Sequence, residues 1–503
     1  MELLHNLAVG LGVAFTLQNL LCALVGCLLG TLIGVLPGIG PMAAIAMLLP
    51  ATQALPAVSA LILLAGVYDG ARRGGATAAM LVNLPGESLP AVTVVDGYQM
   101  ARKGRAGPAL AAADMGAFVA GGVGALALAA LAAPLTRVAA AFGPAEYFSL
   151  LALGLTGAVA LAAGAPLKAL GMAVLGLLLG LVGTGVNSGA ARFVFNRPEW
   201  ADGTGFIVIA MGVFGYGQII AHLSRPQEKR EVCVARVERP YPTRDDCKRM
   251  TPAIMRGTLF GSALGVLPGG GAVLAAFAAY AVEKKTRLKP GEAPFGKGNI
   301  RGVAAPQAAR DAGARTAFIS LLTLGMAPNA ALALLMGAMM LHHVPPGPRV
   351  MTGNPELFWG LIGSMWIGSL LLIVLNLPLI GIWLRLLAAP YRWLFPAVAL
   401  FGAIGAYSLG HNVRDVWLVG GFGVAGYVFI ELGMALAPLL LGFIFGPLME
   451  DNLRRALLLS RGEWSVLVTR PLSAALLGAA ALLLVMALLP AVQRVRRNAF
   501  VED

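Results

Sequence analysis

Between Leu3 and Tyr68 the chain contains no Asp, Glu, Lys or Arg. A run of that length without charge belongs in lipid. A bilayer core of about 30 Å takes roughly 20 apolar residues per helix, and with connections of similar length a 503-residue chain has room for about twelve spans. Inside lipid every backbone polar group must be satisfied within the structure, which leaves helices or a closed barrel. The apolar runs do not alternate as barrel strands do, so helices remain.

Composition agrees. The hydrophobic fraction is 58%, with 65 glycines beside it and only 12% charged residues, whereas soluble domains carry about 25% charged residues. A soluble fold of this size could not bury that surface and would expose large apolar patches. Soluble enzymes, nucleic-acid readers and disordered chains are excluded as whole-chain readings. The expected fold is an all-α polytopic membrane protein of about 11–12 transmembrane helices, with broken or re-entrant segments in two repeat-related halves.

The formal charge of +13 fits the positive-inside pattern of cytoplasmic loops rather than a nucleic-acid surface. Ser224 to Met250 carries eight basic and five acidic residues and is expected in the cytoplasm. Arg494, Arg496 and Arg497 follow the last apolar run and place the C-terminus on the same side. The divisions expected are a first transmembrane half at 1–223, a hydrophilic connection at 224–256, a second half at 257–493 and a basic tail at 494–503. Cys22, Cys27, Cys233 and Cys247 form no disulfide framework, since two lie in an apolar run and two in the hydrophilic connection. Leu24-Val25-Gly26-Cys27 looks like a lipoprotein cleavage box, but no Lys or Arg precedes Arg72, so Met1–Leu36 is expected as a retained first span.

An internal repeat is the most informative motif. Gly30-Thr-Leu-Ile-Gly-Val-Leu-Pro-Gly-Ile-Gly40 aligns without a gap on Gly261-Ser-Ala-Leu-Gly-Val-Leu-Pro-Gly-Gly-Gly271, with seven of eleven positions identical. Small residues at Gly30/Gly34 and Gly261/Gly265 suit close helix packing. That does not account for the Pro-Gly that follows each. Paired interruptions at matching places in two halves point instead to a transporter's binding site near the bilayer midplane. Each copy has a later partner: Asn83-Leu-Pro85-Gly86-Glu-Ser88 in the first half, and Thr323-Leu-Gly325-Met-Ala-Pro-Asn329 in the second. Unwound backbone at Pro37, Gly38, Gly40, Pro85, Gly86, Pro268, Gly269, Gly271 and Gly325 would turn N–H groups at half-helix ends toward an anion. Carbonyls at the opposite ends, with Asn83, Ser88, Thr323 and Asn329, could hold a coupling cation, Na⁺ or H⁺. Interhelical hydrogen bonding is an equal alternative for any one of these side chains.

Charges near spans are costly in lipid. Asp114 is the best case for an intramembrane carboxylate, a possible coupling residue, with the interface as the alternative. Asp69, Arg72 and Arg73 fall between two apolar runs, a place that suits a water-facing loop. Glu146, Lys168, Asp415 and Glu431 are further candidates. The sequence has no His-Glu-x-x-His zinc site, phosphate loop or Gly-x-Ser-x-Gly elbow. His342-His343 points to two helix faces, so no metal, catalytic residue or organic cofactor is expected, and the reading is not an enzyme.

These stretches, together with Asp96-Gly-Tyr-Gln-Met-Ala-Arg-Lys-Gly104, Gly296-Lys-Gly-Asn-Ile-Arg-Gly-Val-Ala-Ala-Pro306, Pro346-Gly-Pro348 and Gly446-Pro-Leu-Met-Glu-Asp-Asn-Leu-Arg454, resemble the large membrane subunit of tripartite tricarboxylate transporters, the TctA family. The resemblance runs in order along nearly the whole chain. It implies a multi-pass secondary transporter of the bacterial inner membrane that imports tricarboxylates or related organic acid anions. It implies two partners, a periplasmic solute-binding protein and a small membrane subunit of about four spans. Pro37-Gly38, Pro268-Gly269 and Asn83-Leu-Pro85-Gly86 match the family's motifs. Gly325-Met326-Ala327-Pro328 departs from the family's usual Gly-Ile-Pro-Gly, and Asp114 and Arg72-Arg73 are unusual, departures that bear on substrate and coupling ion. The competing reading is a stand-alone permease or channel for small anions that needs no binding protein.

Overall fold

The computed structural model describes residues 2–36, 40–82, 91–162, 164–185, 189–194, 200–201, 203–224, 241–267, 271–288, 291–376, 378–379, 382–383, 391–410 and 412–489. The first part comprises α1 (Glu2–Ala14), α2 (Leu17–Val35), α3 (Pro41–Leu48), α4 (Ala57–Val82), α5 (Ala91–Arg102), α6 (Ala106–Ala140), α7 (Pro144–Leu161) and α8 (Pro166–Gly180). A two-residue hairpin, β1 (Gly183–Thr184) and β2 (Ala191–Arg192), precedes α9 (Phe206–Ala210), which runs through a π-helical stretch into α10 (Gly217–Ser224). Then come α11 (Arg244–Leu264), α12 (Gly271–Lys285), α13 (Ile300–Ile319), α14 (Ala330–Leu341), α15 (Arg349–Gly353) and α16 (Pro355–Asn376). The described chain finishes with α17 (Tyr391–Gly410), α18 (Val413–Glu431), α19 (Leu436–Leu459), α20 (Val466–Thr469) and α21 (Pro471–Leu488).

The fold is all-α and polytopic. Among the described residues eight helices are long and apolar enough to cross a bilayer: α2, α6, α7, α9–α10, α16, α18, α19 and α21. Helices α4 and α13, of 26 and 20 residues, match them in length but carry buried charges. Prolines set several ends. Pro41, Pro144, Pro166 and Pro471 each stand in the first turn of a helix, where the missing N–H costs nothing. Pro50 opens a 3₁₀ turn that separates α3 from α4 within the uncharged stretch.

Glycine spacing decides which helices touch at backbone distance. A Cβ added at Gly26, Gly30 or Gly34 of α2 would fall inside 3.0 Å of the carbonyl oxygen of Leu63, Val67 or Ala71 on α4. Gly257 and Gly261 of α11 meet the carbonyls of Ala305 and Ala309 on α13 in the same way, and Gly265 meets Gly313. The repeated glycines therefore do the same packing job in both places, as small residues do between lipid-embedded helices. Helix α6 lies along α13, with Gly124 against the Arg315 side chain, and α16 covers α4 and α6.

Two hydrophilic motifs meet at the start of α13. Buried Asp96 of α5 accepts the N–H groups of Gly296, Gly298 and Asn299 through Oδ1 at 2.8–2.9 Å, and the Tyr280 hydroxyl through Oδ2 at 3.1 Å. The loop can curl around one carboxylate because Gly296 and Gly298 take positive φ, +82° and +95°. Asn299 then caps α13 by accepting from the Arg301 N–H at 2.9 Å. Glu283 of α12 pairs with Arg256 at 2.5 Å and with Arg301 at 2.7 Å, which ties α11, α12 and α13 together. Asp96→Ala would strip three backbone donors of a charged acceptor, a loss of at least about 3 kcal/mol. Faster hydrogen–deuterium exchange at 296–299 is the expected readout; unchanged protection there would show that the carboxylate does not hold the loop.

Candidate functional site

The correspondence between the helix pairs extends beyond the glycines. Leu63, Val67 and Ala71 occupy the places of Ala305, Ala309 and Gly313. On that alignment Asp69 falls on Asp311 and Arg73 on Arg315, so each helix carries Asp-x-x-x-Arg on the repeat. Tyr68 falls on Arg310 and Arg72 on Ala314.

These residues converge in a buried cluster. Asp69 Oδ2 on α4 lies 2.6 Å from Arg315 Nη2 on α13. Arg72 Nη2 on α4 donates to Asp311 Oδ1 on α13 at 2.7 Å and to the Arg310 carbonyl at 3.1 Å. Arg73 reaches across to Asp114 on α6, with Nη1 and Oδ1 3.5 Å apart. Arg72 also lies 3.6 Å from Asp69 and 5.1 Å from the centre of the Tyr68 ring, a cation–π arrangement. Gln307 Nε2 donates to the second oxygen of Asp311 at 2.7 Å, and Arg315 Nη2 donates to the Ser369 hydroxyl on α16 at 3.0 Å.

Four arginines (72, 73, 310, 315) face three aspartates (69, 114, 311), so the buried cluster holds one guanidinium more than its carboxylates neutralise. Several polar atoms in it have no partner among the described residues: Nη1 of Arg310, Nη1 of Arg315 and Oε1 of Gln307. Buried charge is retained in a low-dielectric core only with close partners. Charges inside membrane helices mark ligand paths and ion-coupling sites.

The expectation that Asp69, Arg72 and Arg73 face water at a loop is corrected: all three are buried midway along α4. Their partners on α13 and α6, out of sight of local hydropathy, make burial possible. Asp114 is buried on α6, eight residues after the helix begins at Ala106. Glu146 caps α7 by accepting the Gly143 N–H at 2.9 Å and pairs with Arg470 at 3.0 Å, while Lys168 donates to the Leu432 carbonyl at 2.7 Å; both have structural roles.

The motif residues are placed unevenly. Pro37, Gly38, Asn83, Pro85, Gly86, Ser88, Pro268 and Gly269 lie outside the described residues. Gly40 is the N-cap of α3, and its N–H points to Gln218 Oε1 at 3.4 Å. Gly271 opens α12 against the Leu264 carbonyl, where a side chain would not fit. The second-half motif is a helix break: α13 ends in a π-helical stretch at Ser320–Leu324, Gly325 turns left-handed at φ +66°, and α14 begins after Asn329. Thr323 donates to the Ile319 carbonyl at 2.7 Å and Asn329 accepts from the Leu332 N–H at 2.9 Å, so both side chains are occupied locally.

Sequence reasoning missed Arg310, Asp311 and Arg315 as site residues. The signal was present as the second Asp-x-x-x-Arg, displaced from the first by a longer connection than separates the Pro-Gly copies.

A bundle of apolar helices that buries this cluster of charges among them defines a multi-pass membrane protein. The chain belongs to the tripartite tricarboxylate transporter TctA family, whose sequence profile matches residues 20–441. It is a subunit of a tripartite tricarboxylate transport system, a transporter rather than an enzyme. It is 52% identical over all 503 residues, with both chains covered completely, to the "Uncharacterized 52.8 kDa protein in TAR-I ttuC' 3'region" of Agrobacterium vitis. It is 53% identical over 243 residues, 48% of this chain and all of the relative, to the "Uncharacterized protein in TAR-II ttuC' 3'region" of the same organism. No solved structure matches the chain.

Proposed function

We propose that this chain is the translocating subunit of an ion-gradient-driven importer of tricarboxylates or related organic acid anions in the bacterial inner membrane. A periplasmic binding protein delivers the anion, and a small membrane subunit of about four spans completes the complex. Na⁺ or H⁺ supplies the driving force, and the C-terminus lies in the cytoplasm. The observation that carries this reading is the buried cluster at which α4, α6 and α13 meet with more guanidinium than carboxylate. An anion entering it replaces lost hydration with preformed donors. Transport needs no bond to be broken; it needs the cluster to face one side of the membrane and then the other. The matched helix pairs of the two halves, α2–α4 and α11–α13, supply two related bodies for such a motion.

Proteoliposomes containing this chain and the small subunit test the proposal. Labelled citrate should accumulate only when the binding protein and an inward Na⁺ or H⁺ gradient are both supplied. Equal uptake without the binding protein would favour the stand-alone permease or channel, and absence of uptake under every condition would refute the proposal.

A further inference from the structure

Arg310 is 4% exposed, and its Nη1 has no hydrogen-bond partner among the described residues. Its neighbour Asp311 is directed elsewhere, accepting from Arg72 through one oxygen and from Gln307 through the other. The remaining carboxylates are committed as well, Asp69 to Arg315 and Asp114 to Arg73. The equivalent position in the first half is Tyr68, and Arg72 of the first half falls on Ala314, so each half adds one arginine to its Asp-x-x-x-Arg, and of the two only Arg72 has a carboxylate partner in an ion pair among the described residues.

A buried cation with no counter-charge destabilises a fold, and more so inside a membrane. Arginine cannot relieve the cost by losing its proton. Its planar fork matches a carboxylate with two parallel hydrogen bonds. We propose that Arg310 is the residue that binds one carboxylate group of the transported anion, which supplies the counter-charge that the three aspartates do not. The inference rests on the importer reading above and names the atoms that would select a carboxylate-bearing substrate.

Arg310→Met and Arg310→Lys, each in the full chain purified into nanodiscs, test it with citrate, malate and acetate as probes. Without a probe, Arg310→Met should melt no lower than the wild type, because an unpaired buried charge has been removed. Its carboxylate-induced rise in melting temperature should vanish, with affinity for citrate reduced at least about 30-fold, as loss of one member of a buried charge pair implies. Arg310→Lys keeps the charge without the fork and should bind with intermediate affinity. A lower melting temperature with the citrate response intact would make Arg310 a packing residue and overturn the assignment. If Arg310→Met does not fold, Arg310→Lys decides: unchanged citrate affinity refutes the role of the fork. Reconstituted uptake separates the two proposals. Wild-type chain that neither binds nor transports any probe defeats the importer reading, whereas wild-type uptake matched by Arg310→Met with the same KM defeats only the Arg310 assignment.

Discussion

Asp69→Ala should destabilise the protein by about 3–5 kcal/mol, while the double replacement Asp69→Leu with Arg315→Leu should recover most of that loss. The pair is buried and only 2.6 Å apart. With the carboxylate gone, Arg315 keeps a hydroxyl donated to at Ser369 and a carbonyl at Met365, neither of which carries charge. Taking both ions away removes the stranded cation and leaves two apolar side chains among helices. Equilibrium unfolding of the purified single and double variants measures the difference. Uptake should be lost in both, because both disturb the cluster. If the double variant is no more stable than Asp69→Ala, the two residues do not act as a pair.

Gly261→Val should prevent stable assembly of α11 on α13. A Cβ there would fall inside 3.0 Å of the Ala309 carbonyl oxygen and of the Ala312 methyl, and a backbone atom cannot rotate away as a side chain can. Overpacking typically costs about 1–3 kcal/mol and more where the backbone must move. Gly30→Val, which meets the Val67 carbonyl, should behave alike. Gly421→Val on α18, with nothing within 4 Å of its Cβ, is the control and should be neutral. The fraction of monodisperse protein after size-exclusion chromatography reports the outcome; three equal elution profiles would contradict the close-contact account.

Hydropathy and the Pro-Gly repeat made the helical membrane fold legible, because length and polarity in lipid follow from local sequence. The repeat also made visible that Gly30 and Gly261 are equivalent. The cluster itself was not legible. A hydropathy pattern treats Asp69, Arg72 and Arg73 as a break in an apolar run, and the aspartate and arginine that neutralise Asp69 and Arg72 lie more than 200 residues away at 311 and 315. Only tertiary pairing turns three charges into the middle of a helix. Asp114 could be read halfway, since its burial needed the position of Arg73. Thr323 and Asn329, for which ligand contact and hydrogen bonding between helices were left open, each make a hydrogen bond within their own segment, to the Ile319 carbonyl and from the Leu332 N–H.

Glycine contacts and ion pairs also differ in how they respond to displacement. Helices α2 and α4 are joined carbonyl to Cα, as are α11 and α13, so sliding within either couple meets steep repulsion within a fraction of an ångström. Across the seam, α4 is tied to α6 and α13 by the ends of Asp69, Arg72 and Arg73, long or short arms that can swivel and exchange partners. Shear resistance is therefore lower along the line where the charge is concentrated than within either glycine-packed couple.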